Sequence, residues 1–255
     1  MKPLLLLLLL TGPSLLHAID HYEPGDTLYV WATSGLVLRK EPSLTGMKLS
    51  VIPYGTLLVA LNYNQDKSFE VEAVPGFSSR SEKNPPVMLR GDFARVAFQG
   101  DTGFVFNGYL SKMPALRYQA GKNDRPPVFE NFAIWAERNF GLVAEIRRGT
   151  WEYGLPSSAK TVYGNGFVLD GWAEKDSEGR TILPDISMEE AFLIFNYLEH
   201  YEWDVRHIPQ KTNEYPWVFN RINDREWRFS GGACEHKILY LPEEKMTVTT
   251  SHCIE

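Results

Sequence analysis

The chain has 255 residues and a formal net charge of −6, with 44% apolar and 23% charged residues. Those fractions belong to a globular protein and, with no low-complexity tract or internal repeat, they exclude a disordered or fibrous chain. An acidic chain without a basic stripe also argues against nucleic acid as a partner.

The N-terminus reads as a leader. Lys2 precedes an unbroken apolar run from Leu4 to Leu10, a Gly12-Pro13 break and the small residue Ala18. A positive start, a short apolar stretch and a small residue before a polar segment describe a secretory signal peptide over residues 1–18, cleaved after Ala18. The apolar stretch falls short of the roughly 20 residues a spanning helix needs. We therefore expect an exported protein, periplasmic or secreted, with no membrane insertion once the leader is removed. Its mature net charge would be −7, because the leader carries Lys2 and no acidic residue.

From Asp26 onward the chain alternates in the manner of strands. Residues 28–32, 36–39 and 56–61 are β-rich runs separated by Ser34-Gly35, Pro42-Ser43 and Pro53-Tyr54-Gly55. Two further strands flank Gln99-Gly100-Asp101, a tight hairpin signal. Short strands at this spacing predict a small β-barrel, with Gly100 serving the hairpin and Gly103 the start of the last strand. Alternation places Phe104 and Phe106 on one side of that strand and Val105 on the other.

Gly35-Leu36-Val37-Leu38-Arg39 followed by Pro42-Ser43, and the closing Gly103-Phe104-Val105 with Tyr109-Leu110-Ser111, resemble the two signature stretches of bacterial SH3-like domains. The resemblance covers residues 26–114. Val37 stands where that family has Asn, Glu41 where it has Gly, and Phe93 where a Trp often begins the third strand. Residues 64–90 read as an insertion that lengthens one loop. The resemblance implies an SH3-like barrel acting as a recognition module for a peptide, a protein or a cell-wall component. Tyr29, Trp31, Tyr54 and Tyr109 are its candidate ligand-binding residues, with core packing as their alternative role.

Residues 115–127 read as a Pro/Gly-bearing linker. Beyond it, residues 128–255 predict an α+β domain, an antiparallel sheet with two helices on one face. The first helix is expected from Val128 to Phe140, with Pro127 at its start and Gly141 at its stop. Strands are expected at 142–147, 161–173 and 181–183. The second helix opens on a capping box, Ser187 with Glu190 three residues later, and shows an apolar stripe of Met188, Ala191, Phe192, Phe195 and Leu198. Strands 217–221, 226–229, 238–241 and 246–250 complete the domain.

Two cysteines in an exported protein invite a disulfide. A hairpin turning at Glu243-Glu244 pairs Leu241 with Met246 and Leu239 with Val248, and the same register sets Cys234 opposite Cys253. Directly opposed strand residues lie close enough to be bridged. Closing a loop of about 20 residues stabilises by roughly 3 kcal/mol in the chain-entropy model. The rival reading is a catalytic thiol, since Cys234 and His236 share a strand face. It lacks a helix N-terminus to lower the thiol pKa.

His236 and His252 face opposite sides of this hairpin, and His200 and His207 flank a helix end without a ligand motif. Glu189-Glu190 and Glu243-Glu244 read as a helix start and an exposed turn. No HExxH, paired CxxC, phosphate-cradling glycine loop or GxSxG occurs. We accordingly expect no cofactor, no metal and no catalytic residue. The leading expectation is a non-enzymatic binding or adaptor protein. The alternatives are a divergent cell-wall hydrolase in residues 128–255 and an inhibitor or immunity-like protein.

Overall fold

The computed structural model describes residues 22–78, 83–119, 121, 126–149, 158–173, 176–199, 201, 206 and 217–254. The leader expected over residues 1–18, His200 and His207 lie outside the described residues. Among the described residues the fold is mostly β, with antiparallel sheets and two helices described over their full ranges.

In the front half, β1 (Thr27–Val30), β2 (Leu36–Arg39), β3 (Lys48–Ile52) and β4 (Leu57–Val74) come first. The short β5 (Phe77–Ser78) and β6 (Lys83–Asn84) pair with each other. Then follow β7 (Val87–Phe98), β8 (Asp101–Phe106), one 3-10 turn over Asn107–Tyr109, and β9 (Leu110–Ser111). The seven longer or returning strands form one sheet in the order β3-β2-β8-β7-β4-β1-β9. Among the described residues its hydrogen-bonded ladder runs from β3 to β9 and does not close into a barrel.

The 64–90 stretch, expected as a loop, instead prolongs both strands of the β4–β7 hairpin. Apolar residues recur on both arms, so Leu89 pairs with Val71 and, past a register shift at Glu72/Val74, Val87 with Val74. Phe69 then places its ring 4.9 Å from Phe93 and 5.1 Å from Phe106.

At the β7–β8 hairpin, Phe98 pairs with Asp101, and Gln99 and Gly100 both take positive φ, 51° and 90°. That is the two-residue turn whose twist matches the flanking strands. Gly103 is demanded by contact rather than by φ. A Cβ there would meet the Arg39 carbonyl oxygen at 2.5 Å, so only glycine lets β2 cross this closely onto β8.

The expected linker contributes a strand. β10 (Tyr118–Gln119) pairs with β11 (Val128–Phe129), and Leu116 is buried. Helix α1 (Phe132–Phe140) begins four residues later than expected. Asn131 is its N-cap, with its side chain accepting from the Ala133 N–H at 2.8 Å, and Val128 and Phe129 are already committed to β11.

The rear sheet has eight strands: β12 (Leu142–Arg148), β13 (Ser158–Tyr163), β14 (Val168–Ala173) and β15 (Asp176–Pro184), then, beyond helix α2 (Met188–Leu198), β16 (Val218–Asn223), β17 (Glu226–Gly231), β18 (Cys234–Leu241) and β19 (Met246–Ile254). Its order is β12-β13-β14-β15-β19-β18-β17-β16. The run expected as a single strand over 161–173 is split by a turn at Gly164–Gly166, where Gly166 has φ +85°.

Helix α2 is capped on both sides of its box. The Glu190 N–H donates to Ser187 Oγ at 3.1 Å, and the Ser187 N–H donates to Glu190 Oε2 at 3.0 Å. The expected stripe is buried except for Leu198, which is half-buried, but so are Leu193, Ile194, Asn196 and Tyr197. The helix lies between the two halves: it contacts the 3-10 turn of the front sheet and β18 and β19 of the rear one. One apolar core therefore runs from Leu28 through α2 to Ile238.

The register read from the sequence for the last hairpin is found throughout: Leu241 pairs with Met246, Leu239 with Val248 and Cys234 with Cys253. Cys234 and Cys253 are disulfide-bonded, with Cα atoms 4.1 Å apart. Thiol titration of the denatured, unreduced protein is expected to count no free cysteine, and two after reduction. Any thiol before reduction would speak against the bridge.

Candidate functional site

The four aromatics singled out by sequence part company. Trp31 is 1% exposed. Its indole N–H donates to the Met113 carbonyl at 3.0 Å, its ring stacks on Tyr197 at 6.0 Å, and Trp135 meets it edge-on at 6.4 Å. The Tyr197 hydroxyl donates to the Trp31 carbonyl. Trp31 thus joins the front sheet to both helices, and its role is packing.

Tyr29 and Tyr54 come together at a wide depression of about 530 Å³ with Leu116, Tyr118 and Arg138. Tyr54 is held there by donating to the Leu116 carbonyl at 3.0 Å and by Tyr118 and Phe129 rings at 5.4 and 6.3 Å. Burial, then the charge of Glu130, pushes its hydroxyl above the usual phenol range, so it stays a neutral donor at any ordinary pH.

Tyr109 opens onto a different, deeper cleft of about 310 Å³, formed where the front sheet meets α2. Phe93, Phe106 and Tyr109 supply one wall, and Phe192, Asn196 and Tyr197 the other. Arg39, Glu72 and Arg206 stand around them. The aromatic edge is well fixed: Tyr109 meets Phe106 edge-on at 6.0 Å, and the Trp31 N–H donates to the Tyr109 carbonyl at 2.8 Å.

Beneath it, a reciprocal amide–carboxylate pair locks the 3-10 turn onto β7. The Asp92 N–H donates to Asn107 Oδ1 at 2.8 Å, and Asn107 Nδ2 donates to Asp92 Oδ1 at 2.7 Å. Both residues are buried, where such bonds are costly to break. The cleft accordingly combines a preformed aromatic wall with charged and amide groups at its margin, the composition of a site that grips an apolar side chain and reads polar backbone around it.

Sequence reasoning reached Tyr109, and met Phe93 and Phe106 only as pattern positions. It missed Asn196, Tyr197 and Arg206, because nothing local in the chain tells that α2 would be covered on both sides. A signal was present: Leu193, Ile194 and Tyr197 fall outside the recognised apolar stripe, and a helix apolar on most of its circumference is a buried one.

The rear half does not assemble the thiol alternative, since Cys234 is bonded to Cys253. His236 is buried and pairs across the hairpin with Ser251, whereas the exposed His252 pairs with Glu235. The turn carboxylates Glu243 and Glu244 are exposed, as expected. Glu189 lies in the first turn of α2, as expected, and is also buried. Its Oε2 has no hydrogen-bond partner among the described residues. Compared with known proteins, the chain matches no protein-family model, no curated protein and no solved structure.

Proposed function

We propose that this is an exported, non-enzymatic binding protein whose front half is an SH3-like recognition module, and that the cleft beside Tyr109 takes a peptide segment, free or carried by a cell-envelope component. The observation that carries this reading is the cleft's construction. A 3-10 turn, pinned by Asp92 and Asn107, presents Tyr109 next to Phe106 and Phe93, with Arg39, Glu72 and Arg206 placed to engage peptide termini or polar side chains.

Two further features support it. The chain leaves the 3-10 turn into β9, which returns to pair with β1, an arrangement that agrees with the resemblance at both ends of residues 26–114. The disulfide agrees with an oxidising compartment. Burial of apolar ligand surface against the aromatic wall would drive association at about 25 cal/mol per Å² before association costs are subtracted.

The test is retention of the full chain on purified envelope fractions and on arrayed envelope peptides. Wild-type protein is expected to be retained, and Tyr109→Ala to weaken retention tenfold or more, on the order of the 1.4 kcal/mol that a tenfold loss represents. Tyr29→Ala, at the separate depression, should leave retention unchanged. No retention of the full chain, or retention indifferent to Tyr109→Ala, would defeat the reading.

A further inference from the structure

A second cavity lies in the rear half, away from the cleft at Tyr109. It occupies about 280 Å³ between the inner face of the rear sheet and the C-terminal half of α2. Its floor is a single row of residues across four neighbouring strands. Gly171 of β14 pairs with Gly179 of β15, Gly179 with Ser251 of β19, and Ser251 with His236 of β18. The adjoining row on the same face is Leu169, Thr181, Thr249 and Ile238. Ile194, Leu198 and Phe132 wall it from above.

The two glycines explain why there is room. A Cβ on Gly171 would meet nothing nearer than the Glu178 carbonyl at 3.6 Å, so a side chain there would project freely from the floor. At Gly179 the missing Cβ accommodates Ser251 Oγ, which would otherwise stand 2.8 Å from it. A central sheet position rarely favours glycine, which weakens a strand. Two paired glycines on one face make a trough.

His236 closes one end of the glycine row. It is 8% exposed and lines the trough, with Phe195 and Trp217 rings each 5.2 Å away. Burial holds its pKa below the ordinary imidazole range, so the ring is neutral at physiological pH, with one donor and one acceptor nitrogen. A neutral imidazole on a cavity wall can donate to and accept from a ligand hydroxyl. The hydroxyl-bearing Thr181, Thr249 and Ser251 stand in the same two rows.

The lining also sets the ligand's charge. Asp170, Arg180 and Lys237 border the trough, as does Glu199 at the end of α2, but strand alternation sets the first three side chains on the face opposite to Gly179, Ser251 and His236. The two trough-facing rows hold no Lys, Arg, Asp or Glu side chain to pair with an ionised ligand. Engineered cavities of about 150 Å³ already accept a benzene ring, so this one has space for a substituted ring.

We propose that the trough is a binding site for an uncharged, ring-bearing small molecule with one hydroxyl head, the ring lying over Gly171 and Gly179 and the head hydrogen-bonded to His236 and the Ser251 or Thr249 hydroxyl. The site does not depend on the peptide cleft.

The test uses 4-methylphenol as probe, with toluene as the analogue lacking the hydroxyl, on the full chain. Binding is followed by calorimetry and by the imidazole proton resonances of His236. The expected result is saturable 4-methylphenol binding that shifts the His236 resonances, with toluene at least fivefold weaker. Gly171→Val, which fills the floor with a better strand residue, should weaken 4-methylphenol tenfold or more while leaving the fold intact. His236→Phe should erase the preference for 4-methylphenol over toluene, and it carries the test should Gly171→Val fail to fold. Lowering the pH until His236 is protonated should remove its acceptor nitrogen and weaken binding. Absence of saturable binding, or binding equal in both variants and wild type, overturns the proposal.

Discussion

Replacing Glu189 with glutamine is expected to stabilise the protein by about 3 kcal/mol above neutral pH and to leave its stability unchanged in acid. Glu189 sits in the first turn of α2, 8% exposed, close enough to Arg90 of β7 and Arg221 of β16 to feel their charges. Loss of water pushes its carboxyl up from 4.5 to about 7. The helix backbone and the Arg221 and Arg90 charges offset that only in part, while Glu190 adds to it. Arg221 is already engaged by Glu70 and Asp224, each at 2.9 Å, which limits what it can offer a third carboxylate.

The sign follows from linkage. Below about pH 4.5 the carboxyl is protonated in both the folded and unfolded chain and contributes no pH dependence. Between 4.5 and about 7 the unfolded chain releases a proton that the folded chain keeps, so stability falls as pH rises. Above 7 the loss is complete. That interval, at about 1.4 kcal/mol per pH unit, amounts to roughly 3 kcal/mol. Glutamine cannot ionise and occupies the same volume. Denaturant unfolding at pH 4, 6 and 8 should therefore give wild type and Glu189→Gln similar midpoints at pH 4 and a growing advantage for the variant at pH 6 and 8. Parallel pH profiles would mean that the carboxyl is solvated or paired in the folded protein.

Much of the secondary structure was legible in the sequence because it is locally encoded. The capping box at Ser187 and Glu190, the turn at Gln99-Gly100 and the Cys234–Cys253 register each depend on a few neighbouring residues, and each was found in place. What escaped was set by long-range contact. Nothing near residue 64 reveals that the two arms of the 64–90 stretch would pair with each other, since period-two alternation broken by Pro and Gly also describes a loop. The junction was similarly hidden. Asn84 accepts from the Phe219 N–H at 2.8 Å and donates to the Trp217 carbonyl at 3.1 Å, a link across more than 130 residues. The candidate cleft and trough both border α2, so both inherit that difficulty. Of the four aromatics, their identity gave no way to separate Tyr109, at a cleft, from Trp31, in the core.

Trp31 is where the two roles can be told apart by experiment. Trp31→Ala is expected to cost about 3–5 kcal/mol, the usual range for deleting a large buried aromatic. The loss should fall on both halves together, because the ring lies against Tyr197 of α2 and Trp135 of α1, and its carbonyl accepts from Tyr197. Truncation would also strand the Met113 carbonyl that now accepts from the indole. Two probes report the outcome: far-UV circular dichroism for the sheets as a whole, and reactivity of the reduced cysteines for the last hairpin. Both should move to lower denaturant with coincident midpoints, as one cooperative core requires. Under conditions where the variant remains folded, its envelope retention should match that of wild type, unlike Tyr109→Ala. A Trp31→Ala protein that loses less than about 1 kcal/mol yet no longer binds would return Trp31 to the ligand surface, since such a cost is that of an exposed position.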